Sequence, residues 1–150
     1  MFRKIFIYFL IATFALLSCH TASNQAVEKK QIEKLITNYN LAFDAKRFDQ
    51  FVSFCHDDFR FFTLDGQIFD KKGTASFLNR ILEEWSEIQS QVQNVEIDCE
   101  SHLACARYTV VYNYQMDGLP NSMTARITAI FKKAGNKWQM YHYHMSRRYF

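Results

Sequence analysis

The sequence predicts an α+β domain in which three helices pack on one face of a curved antiparallel sheet. Two patterns predict this fold class: apolar residues recur at helical spacing before residue 90, and they alternate with a period of two after it. Only short turns separate the later segments, as in a meander of strands. A run of helices followed by a run of strands is typical of a layered α+β architecture.

The first 18 residues are predicted to be a secretory signal. Arg3 and Lys4 precede an apolar run of 13 residues, whereas a helix that crosses a bilayer needs about 20. The next stretch, Leu16-Leu17-Ser18-Cys19, resembles the bacterial lipobox, which implies that Cys19 becomes the first mature residue and carries lipid. Cleavage without lipidation is the alternative. Both place the mature chain in the bacterial cell envelope, outside the cytoplasm.

Residues 19–27 are predicted to form a short tether, and residues 28–150 the domain. Removal of the leader takes away two basic side chains and no acid, so the formal net charge falls from +3 to +1. No basic stripe remains, and a nucleic-acid partner is therefore not expected. The membrane is an expected partner only through the lipid on Cys19.

Three cysteines follow Cys19. Cys99 and Cys105 flank the turn-like segment ESH, so a disulfide across a hairpin is one interpretation in an oxidising compartment. Three reduced thiols, Cys55 included, that pack as small apolar residues are the other. The sequence contains no Cys/His cluster with zinc spacing, and we expect neither a metal nor a cofactor.

Three helices are predicted in the first half of the domain. The first lies in EKKQIEKLITNYNLAFDAKRF, and a short second helix spans residues 49–55 with Asp49 as its cap. Two short strands then surround the tight-turn signal Leu64-Asp65-Gly66. The third helix opens at Gly73-Thr74, and its apolar residues recur at helical spacing: Phe77, Leu78, Ile81, Leu82, Trp85 and Ile88.

Four strands are predicted in the second half, over residues 91–99, 103–116, 123–133 and 137–147. On the second of them, side-chain alternation places three tyrosines on the same face as small residues, which suits a cavity wall or an aromatic core. These residues are Ala104, Ala106, Tyr108, Val110, Tyr112 and Tyr114.

The order of these elements resembles the nuclear transport factor 2-like superfamily, in particular its SnoaL-like branch. Two segments carry the resemblance: FDAKRFDQFVSFCHDDFRFFTLDG and the closing hairpin ARITAIFKKAGNKWQMYHYHMS. The hairpin positions that match the family are Arg126, Thr128, Trp138, Met140, His144 and Ser146. The resemblance implies a cone-shaped α+β barrel of the cystatin-like kind, with a cavity between the helices and the concave face of the sheet.

The same resemblance bears on the first helix. Tyr39 lies at a position similar to one where steroid-isomerase relatives place a phenolic donor. Thr63, however, stands where those relatives keep a carboxylate base. An isomerase mechanism of that kind therefore lacks its base in this chain.

Alternation on the last strand places His142 and His144 on the same face as Trp138 and Met140. If AGN forms a tight turn, Arg126 and Thr128 of the preceding strand face the same way, and we expect all four polar side chains to line the cavity. A buried Arg126 would need an anionic partner, for which Asp58, Glu84 and a ligand carboxylate are candidates. The opposite face is apolar and is expected to pack against a second copy of the chain; it carries Ile127, Ala129, Phe131, Tyr141, Tyr143 and Met145.

Three functions fit this pattern. The first is an envelope lipoprotein that binds a small, largely apolar molecule in its cone, with a site made of Tyr39, Tyr108, Tyr112, Arg126, Thr128, His142 and His144. The second is a lyase or isomerase that uses His144 as acid or base and Arg126 to stabilise negative charge. The third is a non-catalytic dimeric assembly module whose cone is filled by its own rings.

Overall fold

The computed structural model describes residues 25–147, which form three helices packed on one face of a six-stranded sheet. The predicted leader, Cys19 and most of the tether lie outside the described residues. Helix α1 spans residues 25–44, so residues 25–27, predicted as the end of the tether, are helical. None of the helices between residues 25 and 147 has the length and apolar character needed to cross a membrane.

The other two helices are α2, Phe48–Ser53, and α3, Lys71–Leu82. Asp49, predicted as the cap of α2, lies in its first turn instead, because the helix begins after Arg47. Helix α3 begins just before the predicted Gly73, because the side chain of Asp70 caps it by accepting a hydrogen bond of 2.7 Å from the backbone N–H of Gly73.

The strands are β1, Cys55–Phe62; β2, Ile68–Asp70; β3, Trp85–Cys99; β4, Leu103–Met116; β5, Leu119–Ala134; and β6, Lys137–Arg147. Their order in the sheet is β2-β1-β6-β5-β4-β3, and all neighbours are antiparallel except β1 and β6, which are parallel. The predicted α+β class is confirmed, but the sheet is open and does not close into a barrel. The core lies between the helices and the face of the sheet that they cover.

Trp85 and Ile88 belong to β3, so their predicted place on the third helix is wrong. Trp85 pairs with Met116 of β4, and Ile88 lies in a bulge where one extra residue is inserted between Ser86 and Gln89 and Glu87 has a φ of 52°. A bulge of one residue puts two side chains three positions apart on the same face of a strand. That spacing is the same as one turn of a helix, which explains why the sequence pattern predicted a helix at Trp85 and Ile88.

The predicted disulfide between Cys99 and Cys105 is also wrong, since both thiols are free. In the β3–β4 hairpin Cys99 pairs with Ala104, whereas Cys105 pairs with Asp98. Adjacent pairs in a ladder face opposite sides of the sheet, and a bridge between the two cysteines would have to cross it. Burial raises the pKa of the third thiol, Cys55, to about 12, which makes it unreactive near neutral pH.

Replacement of Cys105 by serine is therefore expected to leave the unfolding midpoint unchanged in the absence of reductant. Loss of a native disulfide typically costs about 2–5 kcal/mol, so unfolding experiments easily distinguish a disulfide from two free thiols. Urea unfolding of the wild type and the variant, each with and without dithiothreitol, measures the difference. A midpoint that falls on reduction of the wild type would contradict the free-thiol assignment.

Glu28 connects α1 to the β5–β6 hairpin. Its carboxylate accepts hydrogen bonds from Lys133 Nζ and from Trp138 Nε1, and the Glu28 side chain is only 17% exposed. These two hydrogen bonds lower the pKa of Glu28 below its usual 4.5. The first helix is thus held against the far end of the sheet by a charged contact that is largely shielded from water.

Glu28→Gln is expected to destabilise the domain by about 1–2 kcal/mol at neutral pH, because it replaces charge-assisted hydrogen bonds with neutral ones. A lowered folded-state pKa stabilises the fold above pH 4.5, and this stabilisation is lost as the pH falls through the folded-state value. Urea unfolding as a function of pH should show the two proteins converging in acid. Asp57→Asn is the control, since Asp57 pairs with Lys71 on the exposed surface and should change nothing measurable.

Candidate functional site

A cavity of about 170 Å³ lies between α3, the β1–β2 turn and the inner face of the sheet. Ten of its thirteen lining residues are apolar, and they come from both helices and strands. The apolar lining includes Phe43 of α1, Phe61 of β1, Leu78 of α3, Trp85 of β3, Met123 of β5 and Met145 of β6. The three polar lining residues are Thr63, Asp65 and Tyr112. The cavity is thus an apolar chamber with few polar contacts.

Thr63 and Asp65 form the polar edge of this chamber. The Thr63 hydroxyl donates a hydrogen bond to Asp65 Oδ1, and Gln67 Nε2 donates one to Asp65 Oδ2. These contacts lower the pKa of Asp65 and keep it in the ionised form. Both of its oxygens are engaged in the turn, so Asp65 serves to hold the β1–β2 turn rather than to accept a proton from a bound molecule.

Four buried tyrosines form a second polar feature, which we call the tyrosine cluster: Tyr39, Tyr108, Tyr112 and Tyr143. Tyr39 and Tyr143 have ring centroids 5.3 Å apart, and Tyr112 belongs both to the cluster and to the cavity wall. The predicted inward orientation of Tyr39, Tyr108 and Tyr112 agrees with their burial. Tyr143 was expected on the opposite face and is an addition that sequence reasoning missed.

The hydroxyls of the tyrosine cluster lie close to one another in the core. Burial raises the pKa of Tyr39 well above its usual value, and the neighbouring phenols of Tyr112 and Tyr108 raise it further. Burial likewise raises the pKa of Tyr143 and Tyr108. Hydrogen bonding with Tyr143 lowers the pKa of Tyr39, Tyr108 and Tyr112 and so opposes part of the effect of burial, although the hydroxyls of Tyr108 and Tyr143 lie outside strict hydrogen-bond geometry.

Asp44, at the end of α1, lies beside this cluster and was also missed. Its Oδ2 accepts hydrogen bonds from the backbone and hydroxyl of Ser90, at 3.0 and 2.9 Å, which joins α1 to β3. Its Oδ1 is buried without a partner among the described residues. The negative charge of Asp44 contributes to the raised pKa of Tyr112, so the cavity wall experiences a negative potential from that side.

The prediction that His142 and His144 point into the interior is wrong. The register between β5 and β6 passes from Phe131↔Met140 to Ile130↔His142, which leaves Tyr141 as an inserted residue. Up to Met140 the side chains of β6 face the predicted side of the sheet. Beyond the bulge every side chain faces the side opposite to the predicted one. Tyr143 consequently packs in the core, while His144 is exposed.

Arg126 and Thr128 were also predicted on the wrong face of β5. Ala125, Ile127 and Ala129 are the buried residues of that strand, so the residues between them point away from the helices. We call this side of the sheet the outer face. Arg126 is exposed there and has no need of the predicted anionic partner, because water solvates its guanidinium.

The predicted polar residues do come together, but on the outer face. Thr128 pairs with His144, and Ile130 pairs with His142. The Phe62 ring contacts both imidazoles, with centroid distances of 4.8 Å to His142 and 6.3 Å to His144. Partial burial lowers the pKa of His142, and the nearby His144 lowers it further. The four predicted polar residues therefore lie on the other side of the sheet from the cavity: Arg126, Thr128, His142 and His144.

A family model described as a SnoaL-like domain matches residues 32–149. The chain belongs to the SnoaL-like domain family. Its solved structural neighbours have the same fold. One is a proposed scytalone dehydratase from Novosphingobium aromaticivorans, 15% identical, with 86% of this chain and 89% of that chain covered and a TM-score of 0.78. An NTF2-like protein with a cystatin-like fold from the same organism is 15% identical, with 85% and 86% covered and a TM-score of 0.74.

A third neighbour is a type 2 hexachlorocyclohexane dehydrochlorinase, 13% identical, with 85% of this chain and 90% of that chain covered and a TM-score of 0.78. Identities this low show a common fold and no more. No curated protein matches the sequence. The predicted SnoaL-like, nuclear transport factor 2-like fold is thus confirmed. The predicted site residues of this SnoaL-like domain, however, lie partly on the inner face of the sheet and partly on its outer face.

Proposed function

We propose that this SnoaL-like domain binds one small, largely apolar molecule in its interior cavity. The observation that carries the proposal is the cavity of about 170 Å³ with ten apolar residues among its thirteen lining residues. An engineered apolar cavity of about 150 Å³ stays dry and binds benzene, so this volume corresponds to a ligand built on a single ring. Each buried square ångström of such a ligand contributes about 25 cal/mol.

Binding is favoured over catalysis because the acid–base groups needed for a lyase or isomerase do not line this chamber. The thirteen lining residues include no histidine, and the carboxylate among them, Asp65, is occupied by Thr63 and Gln67. His144 and Arg126, the predicted catalytic pair, lie on the outer face. The names of the dehydratase and dehydrochlorinase neighbours therefore do not carry over to an activity for this chain.

Isothermal titration calorimetry with benzene, toluene and ethylbenzene tests the binding proposal. Trp85 lines the cavity and stacks on Tyr114 at 3.7 Å, so a bound molecule should also change its fluorescence. Trp138 is the other tryptophan of the chain, and Trp85→Phe separates the two signals. Absence of heat and of any Trp85 response across the series would refute the proposal.

For the cellular location we propose export and attachment through lipid on Cys19. The lipobox-like Leu16-Leu17-Ser18-Cys19 and the apolar leader support it. Metabolic labelling with an alkyne-bearing fatty acid, followed by membrane fractionation, tests it. Label on the wild type that disappears in Cys19→Ser and persists in Cys105→Ser is the supporting result. Equal labelling of all three proteins counts against it.

We also propose that the outer face pairs with a second copy of the chain. Phe62, Val111 and Ile130 are half-buried apolar residues on this face, and water is a poor environment for them. Sedimentation velocity of the wild type and of Ile130→Glu tests the pairing. The proposal is supported if the wild type is a dimer, if Ile130→Glu is a monomer, and if Leu119→Glu at the exposed β4–β5 turn remains a dimer. A monomeric wild type contradicts the proposal.

A further inference from the structure

A second and larger cleft lies at the surface between α1, the end of α2 and the start of β6, and we call it the amide cleft. Its volume is about 430 Å³, which falls within the range of about 300–1,000 Å³ that is typical of small-molecule sites. The described residues that line it are all different from those that line the inner cavity. The amide cleft is therefore a separate candidate for ligand binding.

One side of α1 forms the first wall of the amide cleft. Gln31, Lys34, Leu35 and Asn38 follow the spacing i, i+3, i+4 and i+7, which places their side chains on one side of the helix. The neighbouring stripe of α1, which begins at Ile32, is buried in the core. Helix α1 thus turns one stripe to the core and the adjoining, mostly polar stripe to the cleft.

The β5–β6 turn and the first residues of β6 form the opposite wall, with Asn136, Lys137 and Gln139. The half-buried Phe54 follows α2 and contributes apolar surface. The carbonyl of Phe54 accepts a hydrogen bond of 2.9 Å from the backbone N–H of Met140. This bond joins the end of α2 to β6, so the walls of the cleft belong to elements that are fixed to one another.

Four amide side chains line the cleft: Gln31, Asn38, Asn136 and Gln139. Within residues 25–147 none of these four amides hydrogen-bonds to another side chain or to the backbone. Asn40 of the same helix differs, because its amide donates to a backbone carbonyl. Each amide has an acceptor oxygen and two N–H donors, the combination that pairs with hydroxyl groups. The cleft therefore presents unused donors and acceptors from both walls.

The charges of the cleft favour an anion. Lys34 on one wall and Lys137 on the other are exposed, and neither forms an ion pair within the described part of the chain. None of the ten described residues that line the cleft is acidic. Glu28, one turn before the cleft on α1, is already engaged by Lys133 and Trp138. A bound anion would thus meet two ammonium groups without a competing carboxylate.

A sugar ring matches this combination of groups. It carries hydroxyls around its edge, which amides can bind, and C–H groups on its faces, which can pack on the apolar lining residues Leu35, Phe54 and Trp138. The two lysines come from opposite walls, which suits carboxylates spaced along an oligosaccharide better than one compact phosphate. We propose that the amide cleft binds an oligosaccharide of uronic acids, with its hydroxyls on the amides and its carboxylates at Lys34 and Lys137.

Trigalacturonate and its methyl ester are matched probes, because they have the same rings and differ in the charge of the three carboxyl groups. In ¹H–¹⁵N NMR spectra we expect trigalacturonate to shift the side-chain amide signals of Asn38 and Gln139. The methyl ester should bind at least about threefold more weakly, and only the affinity of the acid should fall as salt is added.

Lys34→Gln and Lys137→Gln are each expected to weaken trigalacturonate binding about three- to tenfold and to leave binding of the methyl ester unchanged within about twofold. Lys72→Gln is the control, since Lys72 is an exposed lysine on α3 and does not line the cleft. It should affect neither probe. All three variants change exposed side chains and should fold, which thermal unfolding verifies.

Unshifted signals of Asn38 and Gln139 at 10 mM trigalacturonate, about the weakest affinity of interest, would overturn the inference. Equal affinities of the acid and the ester, or an equal loss in Lys72→Gln, would overturn it as well. Toluene binding should be the same in all of these variants, because the cleft and the inner cavity share none of their described lining residues. Failure of the amide cleft is thereby distinguished from failure of the proposed apolar site.

Discussion

Met123→Trp is expected to abolish the binding of single-ring molecules while the domain stays folded. Met123 is half-buried on β5, pairs with Tyr112 across the sheet and lines the cavity. A tryptophan at this position extends into the chamber and occupies volume that the ligand needs. Because methionine is flexible and the chamber is empty space beside it, the larger ring can be accommodated without the full cost of overpacking, about 1–3 kcal/mol in a filled core. We expect the affinity for toluene to fall at least about tenfold, which corresponds to roughly 1.4 kcal/mol.

Thr124→Trp is the matched control for this prediction. Thr124 is the next residue on the same strand, pairs with Val111 and points to the outer face. The same bulky residue, moved by one position, should leave toluene binding unchanged. Calorimetric titration gives the affinities, and urea unfolding shows whether each variant is folded. Undiminished binding in Met123→Trp, or equal losses in the two variants, would show that the ligand does not occupy this chamber.

Strand β4 shows how much of the inner face could be predicted from alternation. Its pairing with β5 runs without a shift from Leu103↔Lys132 to Met116↔Leu119. The predicted inward residues of the strand are accordingly buried from Ala104 to Tyr112, and Tyr114 is partly buried. Where a long strand has a regular ladder on one side, period-two reasoning is sufficient.

Strand β6 shows why the rest of the site could not be predicted. Both of its faces carry aromatic and apolar residues, so hydrophobicity does not indicate which side faces the core. The bulge at Tyr141 depends on pairing with β5 and β1, which a single strand does not reveal. One inserted residue was enough to move both histidines out of the predicted site and to bring Tyr143 into it.

The cavity itself depends on residues that are distant in sequence. Its wall combines Phe43 of α1, Leu78 of α3 and Met123 of β5, and no local motif connects them. The resemblance to the SnoaL-like family predicted where a chamber would lie, because the family's helices cover the concave face of the sheet. Its size and its polar groups follow from side-chain packing across several elements, which only the three-dimensional arrangement provides.

Tyr143→Ala is expected to be among the most destabilising substitutions in the chain, whereas His144→Ala should be nearly neutral. Tyr143 is 1% exposed, and its ring contacts those of Tyr39 and Phe61 at centroid distances of 5.3 and 5.4 Å. Truncating a buried aromatic ring typically costs about 3–5 kcal/mol, because burial is lost and a cavity remains. Changes at exposed positions usually stay within about 0.5 kcal/mol. Urea unfolding of both variants measures the contrast directly.

These neighbouring residues test the face reversal on which the site assignment depends. A β6 strand without the bulge would place His144 against the helices and Tyr143 in solvent, and the order of the two effects would then be inverted. Tyr143→Phe is the control for Tyr143→Ala, since it keeps the ring and its packing and removes only the hydroxyl. It should retain nearly all of the stability that Tyr143→Ala loses. A severe loss in His144→Ala at a concentration where the protein is monomeric would mean that the imidazole is part of the core, and the assignment of Tyr143 to the inner face would then be wrong.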